Sequence, residues 1–195
     1  MFTLFVIALL CFRTGKSVKL IIREEVEGGQ EVKHESEKVL GGTSSIFNVD
    51  QELSKIFVGG WPAVFDIQDA VKYQSFEGQM EELLVGNTPV SLWNFVEAEN
   101  SNHGAQDRDK LVNLQTPTGY RFDGHGYSIV NSRPYRMRDR SSVQMKFKTA
   151  APNGLLFLAG KGRTFLSIEI QDGYVVYQVS YIQLFSMSVC KTIQI

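Results

Sequence analysis

Chemistry in this chain would have to start from paired carboxylates, grouped imidazoles or a dense run of cations. Glu25/Glu27, Glu35/Glu37 and Glu97/Glu99 each form a Glu-x-Glu pair. Alternate residues of a strand share a face, so such a pair could present the acid and the base or nucleophile of glycoside hydrolysis. All three pairs lie in polar sequence, where solvated surface charge is the expectation. The tighter Glu-x-Asp arrangement does not occur. His34, His103 and His125 have no second ligand at metal spacing and are expected in surface or turn roles. His34-Glu35 opens like a zinc-binding helix motif, but position 38 is Lys, which cannot be the second imidazole. The sequence contains neither a phosphate-binding Gly-x-x-x-x-Gly-Lys loop nor a Gly-x-Ser-x-Gly nucleophile elbow. No catalytic residue, metal site or cofactor is therefore expected.

The densest charge is cationic. Arg133, Arg136, Arg138 and Arg140 are followed by Lys146 and Lys148, which share a strand face. Together they could contact an anionic partner such as a sulfated glycan. The competing reading is a solvated loop whose Arg stems cover apolar surface. Asp139 and the balanced total charge weigh toward that second reading. The 195 residues carry 20 Lys+Arg against 21 Asp+Glu, a net charge of −1 that argues against nucleic acid as a partner. No apolar run approaches the roughly 18 residues of a spanning helix. The two Cys cannot build a disulfide framework, and no Asn-x-Ser/Thr acceptor is present.

The elements that would position these residues are strands. Residues 1–12 are almost wholly apolar and fit either a secretory signal or a buried strand. Val18, Leu20 and Ile22 then alternate with Lys19, Ile21 and Arg23. Glu27-Gly28-Gly29-Gln30 supplies a tight turn into Glu31–Lys38, polar as a charge-protected edge strand would be. Lys55–Val58 reads as a short buried strand closed by Gly59-Gly60-Trp61-Pro62, Phe76–Val85 runs to a turn at Gly86-Asn87, and Thr88–Val96 looks extended. Residues 97–118, rich in Asn, Asp and Gln, read as a linker. Tyr120–Val130 contains Gly124 and Gly126, the sign of a bulge or close packing. Val143, Met145 and Phe147 alternate with polar residues, and Leu155–Ala159 is apolar on both faces. Asp172-Gly173 joins Phe165–Ile170 to Tyr174–Val179 as the clearest hairpin. No stretch keeps a helical apolar period, so an all-β sandwich of jelly-roll type is expected.

Ile56-Phe-Val-Gly-Gly-Trp-Pro62 followed by Phe76-Glu-Gly78 resembles the closing half of a laminin G-like module. After Pro89-Val-Ser-Leu-Trp-Asn-Phe95 and Tyr120–Tyr127, Asn153-Gly-Leu-Leu-Phe157 and Phe165–Gly173 resemble the opening half of another. The order is most similar to the junction of the first and second G modules of a laminin α chain. The resemblance covers about residues 13–179, as a closing half (13–96), the linker (97–118) and an opening half (119–179), before an atypical tail (180–195). The halves are expected either to remain incomplete or to complement one another as a circularly permuted single module.

Departures from the family pattern matter. The family's Cys after Phe-x-Gly is Gln79 here, and Asn102, His103 and Gly104 occupy the region of its partner. A disulfide worth about 2–4 kcal/mol is thereby forgone. The Asp that calcium-binding members place before the Phe-Leu-x-Ile strand is Thr164, beside Arg163. A hard cation wants anionic oxygen, so no calcium site is expected in the second module, and Asn48 and Asp50 supply only one side of one in the first.

The resemblance implies a non-catalytic adhesion module, secreted into basement membrane, with contacts of the integrin, dystroglycan or heparan-sulfate kind. A carbohydrate- or heparin-binding lectin-like sandwich is the alternative. A secreted glycan hydrolase, lacking its Glu-x-Asp pair, comes third.

Overall fold

The computed structural model describes residues 5–13, 17–26, 30–39, 54–90, 95–103, 119–131, 135, 142–180 and 188–194. Among these residues there is no helix. The first strands are β1 (Phe5–Arg13), β2 (Ser17–Val26), β3 (Gln30–Val39), β4 (Lys55–Val58) and β5 (Glu77–Val85). They are followed by β6 (Thr88–Pro89), β7 (Phe95–His103), β8 (Gly119–Val130) and β9 (Ser142–Lys148). The chain continues through β10 (Gly154–Lys161), β11 (Thr164–Gln171), β12 (Tyr174–Ser180) and β13 (Ser188–Gln194).

The strands form one antiparallel path, β13-β12-β11-β10-β4-β8-β5-β9-β1-β2-β3, with β6 on β5 and β7 on β8. β8 is its corner. Residues 119–123 of β8 pair with β5, whereas residues 128–130 on the same strand pair with β4. Between the two pairings lies Gly124 at φ +88°, whose amide donates to the carbonyl of Phe76 at 3.1 Å. A side chain at that φ would be strained, which is why glycine marks the bend. The sheet then curls until its ends meet: β13 lies against β3, and the Tyr177 hydroxyl of β12 donates to the Val18 carbonyl of β2 at 3.3 Å.

The curl encloses one apolar core. Val18, Leu20 and Ile22 of β2 pack in the same cluster as Ile168, Ile170, Val175 and Val179 of β11 and β12. Phe76 stands edge-on to both Phe122 and Phe147, with ring centroids 6.1 and 6.4 Å away. A second cluster lies on the other face of the β4–β10–β11 region, where Phe57, Leu155, Leu158 and Phe165 are covered by Phe65, Ile67, Val71 and Tyr73. This explains why β10 is buried from Gly154 to Gly160 with no alternation. The fold is the all-β curled sandwich that the alternation predicts.

Local expectations resolve in the same terms. Phe5–Arg13 pairs with β2 on one side and β9 on the other. β3 ends the path as the charged edge. The β2–β3 turn at 27–29 and residues 91–94 lie outside the described residues. Asp172 (φ +52°) and Gly173 (φ +79°) both adopt the left-handed conformation a two-residue hairpin demands. The polar stretch from 97 begins as strand rather than linker: β7 runs to His103 and pairs along β8. Polar composition marks an exposed edge strand as readily as a loop, and Glu97 and Glu99 are exposed on this one.

Gly59 ties the corner to the core. It sits at φ +73°, and a Cβ there would lie 2.2 Å from the Phe122 ring. Gly59→Ala is expected to destabilise the fold by about 2–4 kcal/mol. Gly86→Ala, at φ +65° but with nothing within 4 Å of the new Cβ, should cost only about 1 kcal/mol. Denaturant midpoints of the two variants, compared at equal m, check the difference; equal losses would mean that the ring contact is unimportant.

Candidate functional site

The outer face around β5, β8 and β9 carries the described part of the cationic group. Met80, Phe122 and Phe147 point into the core, so their strand neighbours point out. Register then sets the outward residues in rows. Arg121 of β8 stands opposite Gln79 of β5, which stands opposite Lys148 of β9. One step along, Glu81 stands opposite Lys146. Strands lie about 4.8 Å apart, so the Arg121–Gln79–Lys148 row spans about 10 Å. Gln79, Glu81, Lys146, Phe147 and Lys148 line a shallow groove there. Two ammonium groups, a guanidinium and an amide suit a multivalent anion, while Glu81 limits how positive the groove can be.

The arginine run lies mostly outside the described residues: Arg133, Arg136, Arg138 and Arg140 are not among them. Its described member, Tyr135, is buried, and its hydroxyl donates to the Pro89 carbonyl at 2.9 Å. Tyr120 donates likewise to the Val90 carbonyl. Burial, then the nearby Tyr135, pushes the Tyr120 phenol up to about 12. The two phenols anchor residues 89–90 beside the groove-bearing strands.

Two of the three Glu-x-Glu pairs have a member engaged in other ways. Glu35 accepts Lys19 at 2.7 Å and Lys33 at 2.5 Å, and Arg23 reaches Glu31 at 3.4 Å. The Lys19 ammonium first, then Lys33, holds the Glu35 carboxyl down to about 2. The Tyr127 hydroxyl donates to Glu97 at 2.9 Å. That bond, burial and Glu99 keep the phenol protonated up to about 12. The side chains of Glu25 and Glu27, with Asn48 and Asp50, are outside the described residues. Thr164 begins β11 opposite Lys161, and Gln79 and Asn102 flank Arg121 on neighbouring strands. His34, His103 and His125 lie on β3, β7 and β8, respectively. The His125 amide donates to Asp123 Oδ1 at 3.0 Å.

A Laminin G domain family profile matches residues 147–186. Laminin subunit alpha of Drosophila melanogaster is 39% identical over 173 residues, 86% of this chain and 5% of that protein. The chain is laminin G-like. Laminin subunit alpha-4 of Mus musculus is 28% identical over 170 residues, covering 84% of this chain and 9% of its own length. Laminin subunit alpha-1 of Homo sapiens is 33% identical over 141 residues, 69% of this chain and 4% of its own. The chain therefore spans less than a tenth of the length of these relatives. No solved structure matches it significantly.

One buried charge within this laminin G-like fold escapes sequence reading. Ser167, Glu169 and Gln171 alternate with Leu166, Ile168 and Ile170, the pattern of a solvated strand face. Yet Glu169 is 0% exposed. The covering segment, residues 61–73, carries no signal that reveals where it will lie.

At the charged edge, a carboxyl titration of Glu35 should give a pKa of about 2. Lys19→Met should raise it by about one unit, and high salt should raise it in the parent. NMR titration of the side chain checks both; an ordinary glutamate value in the parent would show that these ion pairs do not persist in solution.

Proposed function

We propose that the chain is a non-catalytic extracellular adhesion module of laminin α type. It acts in the basement membrane, binding cell-surface receptors of the integrin or dystroglycan kind or sulfated matrix glycans. The observation that carries this reading is the 39% identity to a laminin α subunit across 86% of the chain. Support also comes from Glu35 and Glu97, one member each of two Glu-x-Glu pairs, being engaged by Lys19, Lys33 and Tyr127. A β-sandwich holding strand faces and rim loops rigid needs no moving parts to serve as a binding surface.

In this reading residues 13–96 and 119–179 are halves of consecutive modules that close on one another as a permuted unit. Pairing of β4 with β10, and of β5 with both β8 and β9, supports it. A half-module alone would leave long strand edges open to aggregation.

The glycan reading draws on the Arg121–Gln79–Lys148 row with Lys146, to which Arg133, Arg136, Arg138 and Arg140 would add charge. Cell attachment to the immobilised protein and salt-dependent retention on heparin test the two classes of partner separately. Lys146→Gln with Lys148→Gln should weaken heparin binding by roughly three- to tenfold at low salt and leave the thermal midpoint nearly unchanged. Retention unchanged by the double substitution would remove this face from the glycan reading. Failure of cells to attach and of heparin to bind would remove the adhesion reading itself.

A further inference from the structure

Glu169 is the one buried acid among the described residues. It lies in the second half of β11, on the face that turns away from the main core and toward the covering segment 61–73. Its Oε2 accepts the Lys72 amide at 3.3 Å and the Gln171 side-chain amide at 3.0 Å. Its Oε1 has no partner, and the same is true of Ser167 Oγ and Gln178 Oε1. Ser167 is two residues away on the same strand face, and Gln178 stands opposite Ser167 on β12. Several oxygens are thus gathered in a dry place with too few protons among them. Turning the Ser167 hydroxyl toward the carboxyl would serve Oε1 and still leave Gln178 without a donor. A proton on Oε1 makes the carboxyl itself a donor and relieves the shortage.

We propose that Glu169 is a proton-operated latch: as a neutral acid it lets residues 61–73 seal the outer face of β10 and β11, and its ionisation loosens that seal. The latch reaches the segment directly, because the Lys72 amide rests on Oε2. Ionised, Oε1 is a buried charge with no donor, and water can reach it only by lifting the cover. The groups around it do not cancel that charge. Leu155 of β10 and Val176 of β12 are its apolar cross-strand partners, with Lys191 of β13 at the register position beyond Val176. The covering segment brings Lys72, whose charge favours ionisation, and the Tyr73 phenol, which feels both Glu169 and Asp172. Burial outweighs these partners and holds the carboxyl above its ordinary range. The sign follows: below the ordinary glutamate range folded and unfolded chains are both protonated, and as pH rises toward the raised folded value the fold loses stability.

Trp61 lies on the covering segment, and its ring N–H donates to the Tyr73 carbonyl at 3.2 Å, so its fluorescence reports the seal. The only other Trp is Trp93, and Trp93→Phe gives a clean background. From mildly acidic to mildly alkaline pH, Trp61 emission should shift to the red with one midpoint above the ordinary glutamate range. Glu169→Gln should abolish that midpoint and hold the acidic-form emission throughout. Infrared difference spectra should show a carboxylic-acid band below the midpoint in the parent and none in Glu169→Gln. A flat titration in the parent overturns the latch, as does an unchanged midpoint in Glu169→Gln. A Glu169→Gln chain that cannot fold also overturns it, because a neutral isostere must be accepted at a site built for the acid.

Discussion

The fold depends on how the sheet turns its corner. Four strands meet where β4 ends, and a short chain of backbone bonds holds them. The Gly59 amide donates to Leu156 of β10 at 3.0 Å, the Phe76 amide to Gly59 at 2.8 Å, and the Gly124 amide of β8 to Phe76 at 3.1 Å. Phe122 fits only because Gly59 has no side chain to occupy the space of its ring. A flat sheet would expose the apolar stripes of β2 and β12 to water; the bend in β8 brings them together. Each backbone group in the node would cost free energy if buried without its partner, so the corner is held by satisfaction of polar groups as much as by the aromatic packing around it.

Much of this was legible because strand periodicity is a local property. Val18, Leu20 and Ile22 are inward, Asp172-Gly173 turns as its residue types require, and the charges of Glu31–Lys38 mark an edge. The resemblance to laminin G-like modules was readable for the same reason, since its signatures are short runs that fix turns and bends. Partner choice between strands is a different matter. Nothing near Lys55–Val58 reveals that it will lie between β10 and β8, about a hundred residues away for the former, because register across such a distance is set by the whole curl.

Two stretches whose composition misleads share one cause. Residues 97–103 have the composition of a linker and lie in an edge strand, while Ser167, Glu169 and Gln171 are polar and buried. In both cases polarity reports exposure in the average protein, yet what decides exposure is which segment lies on top. β7 pairs only with β8 among the described strands and leaves Glu97 and Glu99 exposed, so polar residues cost little there. β11 has residues 61–73 over it, so a polar atom that finds no partner inside, as with Ser167 Oγ and Glu169 Oε1, is left unsatisfied at a cost.

That covering segment also divides the molecule's two outer faces by use. On the β4–β10–β11 side, Phe65, Ile67, Val71 and Tyr73 have spent the sheet surface on packing, and a macromolecular partner meets the cover instead of the strands. On the β5–β8–β9 side no such cover is found among the described residues, and the register itself spaces Arg121, Gln79 and Lys148 at strand intervals. Such a row is stiff. Its side chains start from Cα positions fixed by ladder hydrogen bonds, so an anionic partner pays for ordering the side-chain tips but not the backbone beneath them. In the next row Glu81 stands opposite Lys146 and offsets part of that positive charge. A chain of net charge −1 can in this way still present an ordered local row of cationic side chains.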